Sequence, residues 1–139
     1  MRIGVFTALF QNLPFAEALD KAVAAGVTAV EIGAGGDPGS QHCPVDGLLA
    51  SETKRGENLT AVHSRGLILS ALSVHNNPLH PDLAIAAEAD TVIRKAARLA
   101  ALLGVPVVNG FSGLPAGALG DKMPNWVTCP WPPDFLEML

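Results

Sequence analysis

The stretch Leu67 to Pro81, LILSALSVHNNPLHP, gathers the residues best suited to chemistry. Two imidazoles, His75 and His80, and two amides, Asn76 and Asn77, follow an apolar run, Leu67 to Leu72, that Gly66 bounds. Such a run reads as a buried strand, and the polar cluster as the loop at its carboxyl end. Parallel α/β sheets bind ligands at the carboxyl ends of their strands, so His75 is expected to face a site, with Asn76 beside it. An imidazole there can move a proton or hydrogen-bond a ligand, and equally it can cap the next helix. Glu31 is the one carboxylate inside a strand-like run, TAVEI. A charge among apolar strand residues must be paired or face a cavity, which leaves Glu31 as a structural ion-pair partner or a site residue. Phe111-Ser112-Gly113 follows a fourth apolar run. The Ser112 hydroxyl and the free amides around it could hold a sugar hydroxyl or a phosphate.

Other features carry less. Gly33 to Gly39, GAGGDPG, invites a nucleotide reading, but Pro38 stands at the third glycine position and no helix follows at once. A dinucleotide fingerprint needs both, so a turn-rich loop is the better account. A zinc or manganese site needs three or four ligands, and the spacing of His42, His63, His75 and His80 supplies no such set. Cys43 and Cys129 lie far apart without a CxxC and read as reduced thiols. Trp126 and Trp131, in PNWVTCPWPP, could wall a pocket or cover a core edge. Moving a proton beside a sugar carbonyl takes an acid/base pair or a metal, and no second carboxylate lies in a strand here.

The elements that must position these residues repeat. RIGVF at residues 2–6 reads as a first strand. Pro14 opens a helix carrying Phe15, Leu19, Ala22 and Val23 at helical spacing, and Gly26 ends it. The second strand, Thr28 to Ile32, runs into the glycine-rich loop, where Asp46 can cap a short turn. A weaker helix from Glu52 to Arg65 is diluted by Gly56, Asn58 and Thr60. After the histidine loop, Asp82 caps the best helix, whose apolar stripe is Ile85, Ala89, Val92, Ala96, Leu99 and Leu103. Val105 to Val108 is the fourth strand, and a loop from Phe111 to Pro132 follows. PPDFLEML then reads as the first turns of another helix. Each of Gly26, Gly66 and Gly104 ends a helix just before a strand, roughly 40 residues apart, which is the period of βα units with parallel strands. Four such units are either a small open α/β domain or the first half of an eight-unit barrel, and the unfinished helix at Leu139 favours the half.

Length and composition set bounds. With 139 residues, 49% hydrophobic and 16% charged, one domain with strands buried on both faces is expected. A net charge of -4 offers no basic footprint for nucleic acid. No run is long and apolar enough to span a membrane, and Met1 to Phe10 makes a poor signal peptide, so a cytoplasmic protein is expected.

MRIGVFTALFQNLPFAEALD, AVEIGAGGDPG, LSVHNNPLHPD, VVNGFSGLP and PNWVTCPWPPDFLEML together resemble the sugar phosphate isomerase/epimerase family of xylose-isomerase-like TIM barrels. The resemblance runs through the whole chain in order. It implies a divalent-metal enzyme, using Mn²⁺, Mg²⁺ or a similar ion, that moves a proton beside a carbonyl of a sugar, sugar phosphate or polyol. It also implies that the metal ligands lie on later strands, beyond Leu139, so that this chain holds no metal of its own. What it carries onto this chain is a pocket wall made by Glu31, His75 and the Phe111-Ser112-Gly113 turn. The chain departs from the family where Val74-His75-Asn76 replaces an expected Cys-His-Gly, and where Gly56 interrupts the second helix. Asn76 adds a side chain where glycine would allow close approach.

The expectation is therefore a (β/α)₄ half of a TIM barrel over residues 1–139, with Glu31, His75, Asn76 and Ser112 as substrate-binding residues. Taken alone, such a half exposes sheet edges and should be inactive and self-associating. A non-catalytic α/β module gripping a small polar ligand is the alternative. A nuclease-like enzyme on the same barrel is disfavoured by the acidic balance.

Overall fold

The structure, a computed structural model, describes residues 2–125. Trp126, Cys129, Trp131 and the helix expected at the end of the chain lie outside the described residues.

Short aliphatic runs form four strands, and amphipathic segments between them form helices. In chain order these are β1 (Gly4–Phe6), a 3-10 turn (Thr7–Phe10), α1 (Phe15–Ala24), β2 (Ala29–Gly36), α2 (Val45–Ala50), α3 (Glu52–His63), β3 (Ile68–His75), α4 (Leu83–Leu103) and β4 (Val108–Gly110). The strands make one sheet in the order β1-β2-β3-β4, and every pairing is parallel. Each strand therefore lies beside its predecessor, joined by a helical crossover, and the described sheet contains no reversal of strand order.

The pleat decides which face each side chain takes. Val30, Ile32 and Ala34 of β2, with Leu69, Leu72 and Val74 of β3, belong to the buried core shared with Leu19, Val62, Ala96 and Leu99 of the helices. Each fully buried Leu, Ile or Val contributes about 1.5–3 kcal/mol. Glu31 and Gly33 alternate with those β2 residues and face away from the helices. A register shift between Val30 and Glu31 sets Glu31 beside Ala71 and Gly33 beside Ser73. Phe6 pairs with Glu31, and Asn109 with Ser73, so all of these share the helix-free face.

The helix ends follow their capping residues. Asp82 caps α4, its Oδ1 accepting from the Ala84 amide at 2.8 Å, and Gly104 ends it with φ 67°. Ser51 caps α3. Two surface pairs tie the helix layer together: Arg65 with Asp20 of α1 at 2.6 Å, and Lys95 of α4 with Asp46 of α2 at 2.8 Å. Both pairs are solvent-screened and orient the helices more than they stabilise them.

Several expectations shift. Helix α1 starts at Phe15, with Pro14 just outside it, and Val23 is exposed. Asp46 sits in the first turn of α2 without capping it. Within the stripe of α4, Ala89, Ala96, Leu99 and Leu103 are buried and Val92 is partly buried, whereas Ile85 is exposed. Strand β2 continues through Gly36, past the expected end at Ile32, because Gly33 and Gly36 still pair with Ser73 and His75 of β3. Strand β3 likewise runs on to His75, so His75 closes a strand and the loop begins at Asn76. The fourth strand lies at Val108–Gly110 instead of Val105 to Val108, since Val105 drops into the core behind Gly104.

Candidate active site

The helix-free face of the sheet carries the polar cluster. Glu31 projects from the middle of β2, half-buried, and its Oε1 accepts the hydroxyl hydrogen of Ser73, which is fully buried on β3. A charged acceptor with a neutral hydroxyl donor is a strong pairing, and it fixes one carboxylate oxygen in place. Glu31 thus faces the site side of the sheet and is no partner in an ion pair among the described residues.

His75, at the carboxyl end of β3, is packed between two aromatic rings. Phe6 of β1 meets it edge-on with centroids 6.1 Å apart, and Phe111 stacks on it at 4.6 Å with an interplanar angle of 16°. The two rings hold the imidazole plane.

Phe111 owes its place to a clamp. The Asn77 side chain donates from Nδ2 to the Leu114 carbonyl at 2.9 Å, and its Oδ1 accepts from the Leu114 amide at 2.8 Å and the Leu79 amide at 3.1 Å. One side chain so binds the loop after β3 to the loop after β4. Gly113, with φ 90°, passes so close that a Cβ there would stand 2.5 Å from Asn77 Oδ1. The turn 110–114 surrounds a groove of about 330 Å³ lined by Phe111, Ser112 and Gly113. Ser112 is exposed there, and no hydrogen bond joins it to Glu31 or His75 among the described residues.

Asn76 follows His75 directly. Its Oδ1 is buried with no hydrogen-bond partner, as is Oγ1 of Thr7, the residue after β1. The remaining histidines have structural places. His42 is buried, with Nε2 2.9 Å from the Leu13 carbonyl and its ring against Phe15. His80 Nδ1 accepts from the Asp82 amide at 2.9 Å, beside the start of α4, and His63 is exposed at the end of α3. Burial pushes the Cys43 thiol up to about 12, which removes it as a nucleophile near neutral pH.

Glu31 and His75 lie on the same face of the sheet, and Phe111 is stacked on His75. Ser73, Phe6, Asn77 and Asn109 were not singled out for that face. Ser73 had a signal, since it lies two residues before His75 and so must share its face in a strand. The Asn77 clamp had none, because its partner is 37 residues away. Among the described residues no group of three or more His, Cys, Asp or Glu is placed to hold a metal ion. No described helix is long and apolar enough to cross a membrane.

No family model matches the chain. It is similar to YfiH of Bacillus subtilis (strain 168), an uncharacterized protein: the two are 38% identical over 141 residues, covering all of this chain and 45% of YfiH. The chain thus spans less than half the length of the curated relative it matches.

Proposed function

We propose that this chain is the N-terminal (β/α)₄ half of a TIM-barrel isomerase or epimerase that shifts a proton beside the carbonyl of a sugar or polyol. One observation carries the reading: a sequentially ordered, all-parallel sheet presents Glu31, Ser73, His75 and Asn109 on the face away from its helices. In a closed barrel that face is the interior, and the carboxyl ends of its strands form the site. The length of YfiH leaves room for a second half. The resemblance adds a divalent ion held by residues beyond Leu139, which would stabilise the negative charge that builds on the carbonyl oxygen. The described residues do not themselves form such a cage.

The chain's own residues bind and orient. Glu31, with one oxygen held by Ser73, accepts a hydrogen bond from a substrate hydroxyl through the other. His75, fixed by Phe6 and Phe111, donates to or accepts from a neighbouring oxygen. Asn76 and Ser112 lie along the rim. The test is proton exchange: the complete gene product is incubated with a ketose and a divalent ion in heavy water, and loss of the carbon-bound proton next to the carbonyl is followed by NMR. Exchange is expected, and Glu31→Gln should slow it by about 10²-fold or more. Absence of exchange across a panel of ketoses and aldoses would refute the reading.

A further inference from the structure

We propose a second small-molecule site on this chain, in the groove between α1 and α3, that takes a zwitterion with an apolar body. A free amino acid with an apolar side chain is the simplest such ligand. The groove lies in the helix layer, apart from the Glu31 face of the sheet, and the proposal does not rest on the isomerase reading.

The groove follows from the sequence of α3. That helix carries Gly56, Asn58 and Thr60 among charged residues and buries Val62 alone. A helix so polar does not close fully against its neighbours. A space of about 460 Å³ remains beside it, within the range of small-molecule sites. Phe15 of α1, Pro44, Leu48 of α2 and Ala61 of α3 form its apolar walls.

His42 supplies the polar focus. It is only 5% exposed, yet it lines the groove. Its Nε2 lies 2.9 Å from the Leu13 carbonyl, and the Asn58 side-chain amide donates to the His42 carbonyl at 3.4 Å, so ring and backbone are both held. A carbonyl only accepts, so Nε2 carries the hydrogen and, in the neutral ring, Nδ1 is an acceptor. Nδ1 makes no hydrogen bond among the described residues. The fully enclosed side-chain atoms without a partner among those residues are Thr7 Oγ1 and Asn76 Oδ1, so Nδ1 opens onto the groove. A nearly buried acceptor without a donor calls for an N–H or O–H from a ligand.

Charge decides the class. Lys54 and Glu57 line the same groove one turn apart on α3. Both are exposed, and neither takes part in an ion pair among the described residues. A simple cation would meet Lys54, and a simple anion would meet Glu57. A zwitterion answers both. Its ammonium turns to Glu57 and His42 Nδ1, its carboxylate to Lys54, and its apolar part lies against Phe15 and Leu48.

The experiment titrates the complete gene product by calorimetry with L-phenylalanine, with phenethylamine, which lacks the carboxylate, and with 3-phenylpropionate, which lacks the ammonium. L-phenylalanine should bind about tenfold or more tightly than either analogue. Glu57→Gln should weaken it by about tenfold, as should His42→Gln, which keeps a donor for the Leu13 carbonyl and lacks the ring acceptor. Lys54→Met should erase the preference over phenethylamine. In the unaltered protein, the ¹⁵N resonance of His42 Nδ1 should move from its free lone-pair position as L-phenylalanine is added, which reads the site even if His42→Gln fails to fold. No saturable binding at millimolar ligand, equal binding of a singly charged analogue, or an unmoved Nδ1 resonance overturns the proposal. Each of these leaves the isomerase reading standing, because none of these residues belongs to the Glu31 face.

Discussion

Ser73 is fully enclosed, and its hydroxyl reaches the Glu31 carboxylate across neighbouring strands. Ser73→Ala removes that donor and leaves a half-buried charge short of a hydrogen bond, at a cost of about 1–3 kcal/mol. Urea midpoints should fall accordingly, and the exchange reaction should slow more than for an Ala substitution at exposed Ser112. Cys43 makes a separate prediction. With Cys129 replaced by Ser, Cys43 should resist alkylation near pH 8 until the protein unfolds, because burial holds its thiol up to about 12. Fast modification of the folded protein would contradict the packing around it. At this scale Glu31 and His75 were legible because a charge in an apolar run and an imidazole at its end each demand an explanation. Ser73 was hidden, since serine is unremarkable among Ala and Leu, and only the face it shares gives it meaning. Asn77 was hidden more completely, because its partners belong to another loop.

Among the elements, α1 and α4 were readable from their apolar spacing, and Asp82 does cap α4; α3 was expected only as a weak helix, and its Ser51 cap was missed. Asp82→Ala should cost about 1 kcal/mol, measured by thermal or urea unfolding. The strands were misjudged at their carboxyl ends, where glycines and polar residues still make ladder pairs. Gly36 shows why: it pairs with His75 at φ 70°, and a Cβ there would collide with the His75 carbonyl. Gly36→Ala should lower stability by about 1–3 kcal/mol or more and disturb His75. Gly113→Ala should loosen the Asn77 clamp and release Phe111 from the imidazole, seen as a loss of ring-current shift on His75 protons. The helix-surface pairs predict a pH effect. The Arg65 hydrogen bond holds the Asp20 carboxyl below its usual value, and the Arg94 hydrogen bond does the same for Asp90. Their contribution is full above the unfolded carboxylate range and is lost as pH falls through the lowered folded values. Both pairs are exposed, so the loss should be small and should shrink further at high salt.

For the molecule as a whole, the repeat of glycine-ended helices and apolar strands made an all-parallel α/β sheet legible. Whether that sheet is open or part of a barrel was not, because a buried parallel strand shows no alternation to mark its faces. Within the described residues β1 and β4 each pair on one side only, and Ile3, Val107 and Phe111 beside them are exposed. Unpaired edges with apolar flanks favour association. Residues 1–139 produced alone should therefore sediment as oligomers at micromolar concentration, and a monomer that unfolds cooperatively would speak for an open domain. The most direct measurement is a crystal structure of the complete gene product. The account predicts that both edges are paired by later strands, closing a barrel around Glu31, Ser73 and His75. If β1 and β4 remain edges, or a helix covers the face that carries Glu31, the barrel-isomerase account is wrong.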